Sequence, residues 1–186
     1  MLPWGHLAVG YLAYSLAVRA CSRTPPSGPA VLALAVGTQA PDLVDKPLTV
    51  WVAVLPAGRS LGHSLLFGLA VGGVLWLLAR HTDRRGAAIG FVAGHLTHTI
   101  TDAVPAALAG RWRELGFVLW PVTPAYLYDA DDRVLVDYLL TQLTNPPHTQ
   151  LMVLALAASL WVIDDTPGSR TVRSRLQTHT TDREAL

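Results

Sequence analysis

The chain of 186 residues is short of charge, of cysteine and of lysine. Charged side chains make up 15% of it and hydrophobic ones 51%, where ordinary soluble domains carry about 25% charge. That balance excludes a disordered chain and argues against an ordinary cytosolic enzyme. One cysteine, Cys21, excludes an intramolecular disulfide and any cysteine-rich zinc module. The single lysine, Lys46, stands beside 13 arginines, a bias that suggests a GC-rich prokaryotic genome and says nothing of function. The opening MLPWGHLAVG has no positive region ahead of its apolar run. A cleaved signal peptide is therefore not expected, and the first apolar stretch is expected to stay in the mature protein. There is no internal repeat, and the length suits one domain.

What the chain does have is long uncharged runs. Residues 1–18 carry no charge, 29–79 carry only Asp42, Asp45, Lys46 and Arg59, 86–110 carry only Asp102, and 148–163 carry none. Runs of this kind read as membrane spans, so the expected fold is all-α: a polytopic membrane bundle of about five spans. The spans are placed at Trp4–Arg19, residues 30–45, Ser60–Ala79, Gly86–Leu108 and His148–Ile163. The run LTVWVAVLPAG at 48–58 is too short to cross and reads as re-entrant or interfacial. DRVLVDYLLTQL reads as an amphipathic helix lying at the membrane surface. Residues 1–165 are thus expected to form a single transmembrane domain and 166–186 a polar cytoplasmic tail. The net charge of +1 hides short basic clusters: Arg19 with Arg23, Arg80 with Arg84 and Arg85, and Arg170, Arg173, Arg175 and Arg183. They suit topology signals rather than a nucleic-acid footprint. Against the opposing pair Arg111 and Arg113, they place the N-terminus outside and the C-terminus in the cytoplasm of a cell with an inner membrane.

Ionisable groups inside such spans cost about 2.5–3.5 kcal/mol each on insertion scales and mark functional sites by default. In the expected topology His6, Asp42 with Asp45, Arg59 with His63, and His98 with Asp102 come from four segments to one membrane level. On the fourth span His95, His98 and Asp102 fall within an arc of about 60°. His98 and Asp102 are an i, i+4 pair, a spacing at which two side chains on one helix face can share a metal. Imidazole with carboxylate suits zinc, manganese or iron. Blander readings stand beside these: His6 with Trp4 as an interfacial anchor, His63 packed against a carbonyl, His98 and Asp102 as an internal hydrogen bond. His95 is open as third ligand, supporting partner or helix-packing group. His81 and His179 read as solvated and His148 as interfacial. Thr97, Thr99 and Thr101 read as bonded back to helix carbonyls. Asp129, Asp131 and Asp132 read as a solvated turn.

Five motifs in order carry a resemblance: Gly5-His6-Leu7, Pro41-Asp42 followed by Asp45, RSLGHSLL at 59–66, GHLTHTITD at 94–102, and LWP at 119–121. Over residues 5–121 the chain resembles the YdjM-like family of inner-membrane-bound, metal-dependent hydrolases. The resemblance matches His6 to that family's early histidine, Asp42 to the first aspartate of PD-x-D, and Arg59, His63 and Ser64 to HRG-x-THS. It matches His98 and Asp102 to G-x-x-SH-x-x-x-D. The chain departs from the pattern at Asp45, one residue further along, and at Gly58 and Gly62, which stand for a histidine and a threonine. His95 stands where an aromatic is usual and partly compensates for Gly58 if it ligates.

The resemblance implies a membrane hydrolase holding a divalent metal, zinc before manganese or iron, through His6, Asp42, His63, His98 and Asp102. A metal would lower the pKa of bound water towards about 7 and make hydroxide available at neutral pH. Asp45 is the expected general base. Arg59 is expected to neutralise an anionic group of a lipid-linked or phosphoester substrate. Membrane lipids are expected partners and nucleic acid is not. Two other readings stay open: a small transporter or ion-relay protein using the same His/Asp cluster, and a non-catalytic scaffold whose polar cluster cements helix packing.

Overall fold

The structure is a computed structural model that describes residues 1–127, 140, 141, 144, 147–169, 171 and 172. Helix α1 spans Pro3–Ser22, α2 Gly28–Val50, α3 Leu65–Ala79 and α4 Arg85–Leu108. A 3-10 helix, Trp112–Leu119, follows, and α5 spans His148–Ile163. Among the described residues there is no strand, so the chain is all-α as expected. Pro3 opens α1, where its missing amide has no helical partner to lose. Arg23, in the left-handed region at φ 58°, closes it by donating its amide to the Arg19 carbonyl. Ser64 caps α3, its hydroxyl accepting the Leu66 amide at 3.2 Å.

Five helices thus lie where the apolar runs predicted spans, but they are not spans. Among the described residues no helix is long and apolar enough to cross a membrane. The reason is physical. Helices α3 and α5 have 15 and 16 residues, about 22–24 Å of rise against a hydrocarbon thickness of about 30 Å. Helices α1, α2 and α4 have the length, but the face that carries the polar groups dilutes their apolar content with glycine, threonine, histidine and aspartate. Freedom from charge is not the same as high hydropathy. The five-span polytopic bundle is therefore corrected, and the positive-inside orientation loses the crossings on which it was counted. The segment 48–58 is not a separate element either: α2 runs on to Val50 through Pro41 and Pro47, and an irregular loop carries the chain to Ser64. The amphipathic helix at 132–143 falls almost wholly, and the acidic turn and residues 173–186 of the tail wholly, outside the described residues.

The closest helix pair is α2 with α4. A methyl group on Gly37 would meet the Phe91 carbonyl oxygen at 2.1 Å, one on Gly90 that of Ala30 at 2.2 Å, and one on Gly94 that of Leu34 at 2.3 Å. Glycine is what lets the two backbones touch. A small apolar core, including Tyr11, Tyr14, Val31 and Leu34, joins α1, α2 and α5. At its edge Asp164, just past α5, accepts hydrogen bonds from Tyr11 and Ser15, each at 2.5 Å, and from Arg19 Nε at 2.7 Å. These three donors share one face of α1 and lock α5 onto it. The outer surface is strongly apolar: Leu16, Val36, Leu43, Leu69, Leu78, Leu156 and Ile163 are all exposed.

Candidate functional site

The polar residues that the apolar runs isolate do converge. His6 comes from α1, Asp42 and Asp45 from α2, Arg59 and His63 from the loop before α3, and His98 and Asp102 from α4. His63 and His98 are wholly buried, His6 and Asp102 nearly so, and Asp42 is half-buried. The loop is held by Asp45, which is itself fully buried. Its carboxylate accepts the backbone amides of Ser60 at 2.7 Å, Gly62 at 2.6 Å and His63 at 3.2 Å, and the His63 Nδ1–H at 2.8 Å.

Each ring's tautomer follows from the partner of its other nitrogen. His98 Nδ1 lies 2.6 Å from the Thr38 carbonyl, which only accepts, so Nδ1 carries the proton and Nε2 is a bare lone pair. Thr101 Oγ1 donates to the Thr97 and His98 carbonyls, so it accepts from His6 Nδ1–H at 2.8 Å and leaves His6 Nε2 bare. His63 gives its Nδ1–H to Asp45, so its Nε2 also turns inward. That atom lies 3.1 Å from His98 Nε2, 3.6 Å from Asp42 Oδ1 and 3.5 Å from Asp102 Oδ2. His98 Nε2 is 3.9 Å from the same two oxygens, and His6 Nε2 is 3.4 Å from Asp102 Oδ1. The His6 and His98 rings stack at 3.9 Å.

The remaining carboxylate contacts run outward to cations. Lys46 Nζ bonds Asp42 Oδ2 at 2.7 Å, and Arg59 Nε bonds Asp102 Oδ2 at 2.7 Å. Burial, reinforced by the neighbouring His98, pushes the His6 imidazole down to about 3. Burial, reinforced by His63, pushes His98 down to about 4, so both rings are neutral at pH 7. Burial also acts to lower His63, but hydrogen bonds to Asp102 and Asp45 outweigh it and raise this ring. Burial alone would raise Asp102; the hydrogen bond from His63 and the Arg59 guanidinium hold it well below the usual carboxylate range instead. The cluster therefore accommodates either a proton on His63 or a cation among its acceptors.

His95 does not join the inward-facing atoms of the cluster. It is buried, its Nε2–H donates to the Gly62 carbonyl at 2.8 Å, and its ring fills the space beside Gly68 on α3. It supports the loop that carries His63. Asp45, expected as general base, has its oxygens occupied by three backbone amides and the His63 ring, which suits orientation of that ring. Thr97 and Thr101 do bond back to helix carbonyls, whereas Thr99 reaches the His63 carbonyl at 3.3 Å. His81 and His148 are exposed.

Sequence reasoning missed Lys46, Phe117 and the Thr38 carbonyl. Only Lys46, as the sole lysine four residues after Asp42, left a usable signal. Phe117 is buried with its ring edge-on to His63 at 5.9 Å. Ser64 Oγ donates to the Trp120 carbonyl at 2.6 Å, tying the 59–66 motif to LWP. A cavity of about 210 Å³ opens over the cluster, lined by His6, Asp42, Lys46, Gly58, Arg59 and Asp102 among others. A larger cavity, about 690 Å³ between α1, α2 and α5, is apolar and shares no residue with the cluster.

An all-helical chain that hides imidazoles and carboxylates inside and turns leucine and valine outward has the build of a membrane protein with a polar centre. It belongs to the YdjM inner membrane protein family, whose model matches residues 1–164. That membership places the protein at the inner membrane and names no activity. No curated protein and no solved structure matches the chain.

Proposed function

We propose that this protein is a membrane-associated, metal-dependent hydrolase acting on a phosphoester, lipid-linked substrates included. One observation carries the reading: acceptors converge at close range, where a proton on His63 or a cation can sit among them. Three imidazole Nε2 atoms and the carboxylates of Asp42 and Asp102 face one another at 3.1–3.9 Å. Around a tetrahedral zinc ion with ligand bonds of about 2.0–2.1 Å, neighbouring donors stand about 3.3 Å apart. Two overlapping triads, His6–His98–Asp102 and Asp42–His63–His98, meet the spacing for a shared ion. The donor set fits zinc best, with manganese or iron as alternatives.

His6, Asp42, His63, His98 and Asp102 would hold the ion. When bound, it supplies Lewis acidity and nucleophilic water at neutral pH. The chain's own groups do the rest. Asp45 fixes the His63 ring, the Thr38 carbonyl and Thr101 hydroxyl fix the tautomers of His98 and His6, and Phe117 walls off one side of His63. Arg59 orients Asp102 and borders the cavity, where its planar cation suits a phosphoryl oxygen.

The test is the metal content of detergent-purified protein beside His98→Ala. Near-stoichiometric zinc lost in the variant is the expected result, and a wild type without bound metal removes the reading. In a screen of phosphoester substrates, Arg59→Ala is expected to retain zinc while losing turnover about 100-fold or more, the scale of a lost transition-state contact. Full activity in Arg59→Ala would strip that residue of its role.

A further inference from the structure

We propose that the cavity mouth is a phosphate subsite bounded by Lys46 and Arg59, and that the missing side chain of Gly58 sets the size of the group the phosphate can carry. This deepens the hydrolase reading and rests on it for the ion beneath the mouth.

The argument begins with why Gly58 is glycine. Around the site Gly62, Gly68 and Gly94 are forced by packing. A methyl on Gly62 would meet the Pro41 carbonyl oxygen at 2.7 Å, one on Gly68 the His95 ring at 2.3 Å, and one on Gly94 the Leu34 carbonyl oxygen at 2.3 Å. At Gly58 an added methyl would meet nothing within 4 Å, and the backbone there is outside the left-handed region. Neither packing nor conformation asks for glycine. Gly58 lines the cavity, and where its side chain would stand there is open space.

The charges around that opening are paired on two sides. Lys46 holds the outer oxygen of Asp42, and Arg59 holds an oxygen of Asp102. Both cations line the same cavity of about 210 Å³. Each is partly exposed, at 49% for the Lys46 side chain and 34% for that of Arg59, so each can reach an anion without leaving its carboxylate. Phosphate has oxygens enough for a guanidinium on one side and an ammonium on the other. The space is that of a phosphate and a small attached group, and Gly58 is the wall whose side chain would project into it.

The test titrates the full-length chain in detergent, zinc-loaded and metal-free in parallel, with inorganic phosphate and with phenylphosphonate. Wild type is compared with Gly58→Ala, Gly58→Trp and Lys46→Ala, and zinc content checks that each variant keeps its site. The wild type is expected to bind both anions. Gly58→Trp is expected to weaken phenylphosphonate by 10-fold or more, roughly the cost of a group that no longer fits a pocket. Inorganic phosphate, which carries nothing past the mouth, should weaken by less than about threefold, and Gly58→Ala should lie between. Lys46→Ala should weaken both anions by roughly tenfold. Equal phenylphosphonate affinity in wild type and Gly58→Trp overturns the size role, and zinc-loaded wild type that binds neither anion overturns the subsite. A wild type that binds phenylphosphonate but cannot be loaded with zinc leaves the subsite standing and removes the hydrolase reading alone.

Discussion

Asp45 shows how a side chain can organise a cluster of candidate metal ligands without being one of them. Its carboxylate gathers the amides of Ser60, Gly62 and His63 and then the His63 ring, fixing both the loop and the nitrogen that faces inward. Asp45→Ala would leave those buried donors without an acceptor and free the ring to turn. Zinc affinity, measured by chelator competition, is expected to fall about 10–100-fold, the usual effect of losing a carboxylate behind a ligating histidine. Unchanged affinity would mean that the loop is held by other contacts. At this scale the sequence was informative where a charge stands out against an apolar run. His6, Asp42, His63, His98 and Asp102 are brought together where Asp42 or His98 alone would be ambiguous. It was uninformative where the contributing atom is a backbone carbonyl, as at Thr38, or where a role depends on a loop folding back 15 residues later, as with Asp45.

The element scale turns on the α2–α4 contact, because these helices carry both carboxylates facing the cluster and the His98 ring. Gly94 packs against the Leu34 carbonyl and the Thr38 amide, one turn from His98, whose Nδ1–H needs the Thr38 carbonyl at 2.6 Å. Gly94→Ala forces the backbones apart and is expected to cost about 1–3 kcal/mol, the range for overpacking a tight interior, and to weaken zinc binding with it. Gly73 on α3 provides the contrast. An added methyl there meets nothing within 4 Å, so Gly73→Ala should raise stability by up to about 1 kcal/mol through helix propensity alone. Thermal unfolding in detergent reads both, and equal melting temperatures for Gly94→Ala and wild type would refute the close-contact argument. Helix positions were legible because proline, glycine and charge clusters separate the apolar runs. The passage of α2 through Pro41 and Pro47 was not, since either proline alone is a reason to stop a helix. Which helices pair was not legible either, because carbonyl-to-glycine contacts leave no periodic trace.

Among the described residues, polarity is largely inverted relative to a soluble enzyme: His6, His63, His95, His98, Asp45 and Asp102 are buried while many leucines and valines are exposed. That distribution, with mean hydropathy of +0.36, is what the sequence conveyed through its shortage of charge. Reading it as crossings went further than the helices allow, because the residues that build the polar centre sit on the helices that would have to cross. Membrane attachment should then depend on apolar surface rather than on charge. In about 1 M salt the screening length falls to about 3 Å, which removes attraction between basic residues and anionic headgroups but leaves apolar contact intact. Membranes containing the protein, washed first in high salt and then in a non-ionic detergent, separate the two. The protein is expected to stay with the membrane through the salt wash and to leave only with detergent. Release by salt would mean that the exposed leucines and valines are covered by something other than lipid, and that charge holds the protein to the membrane.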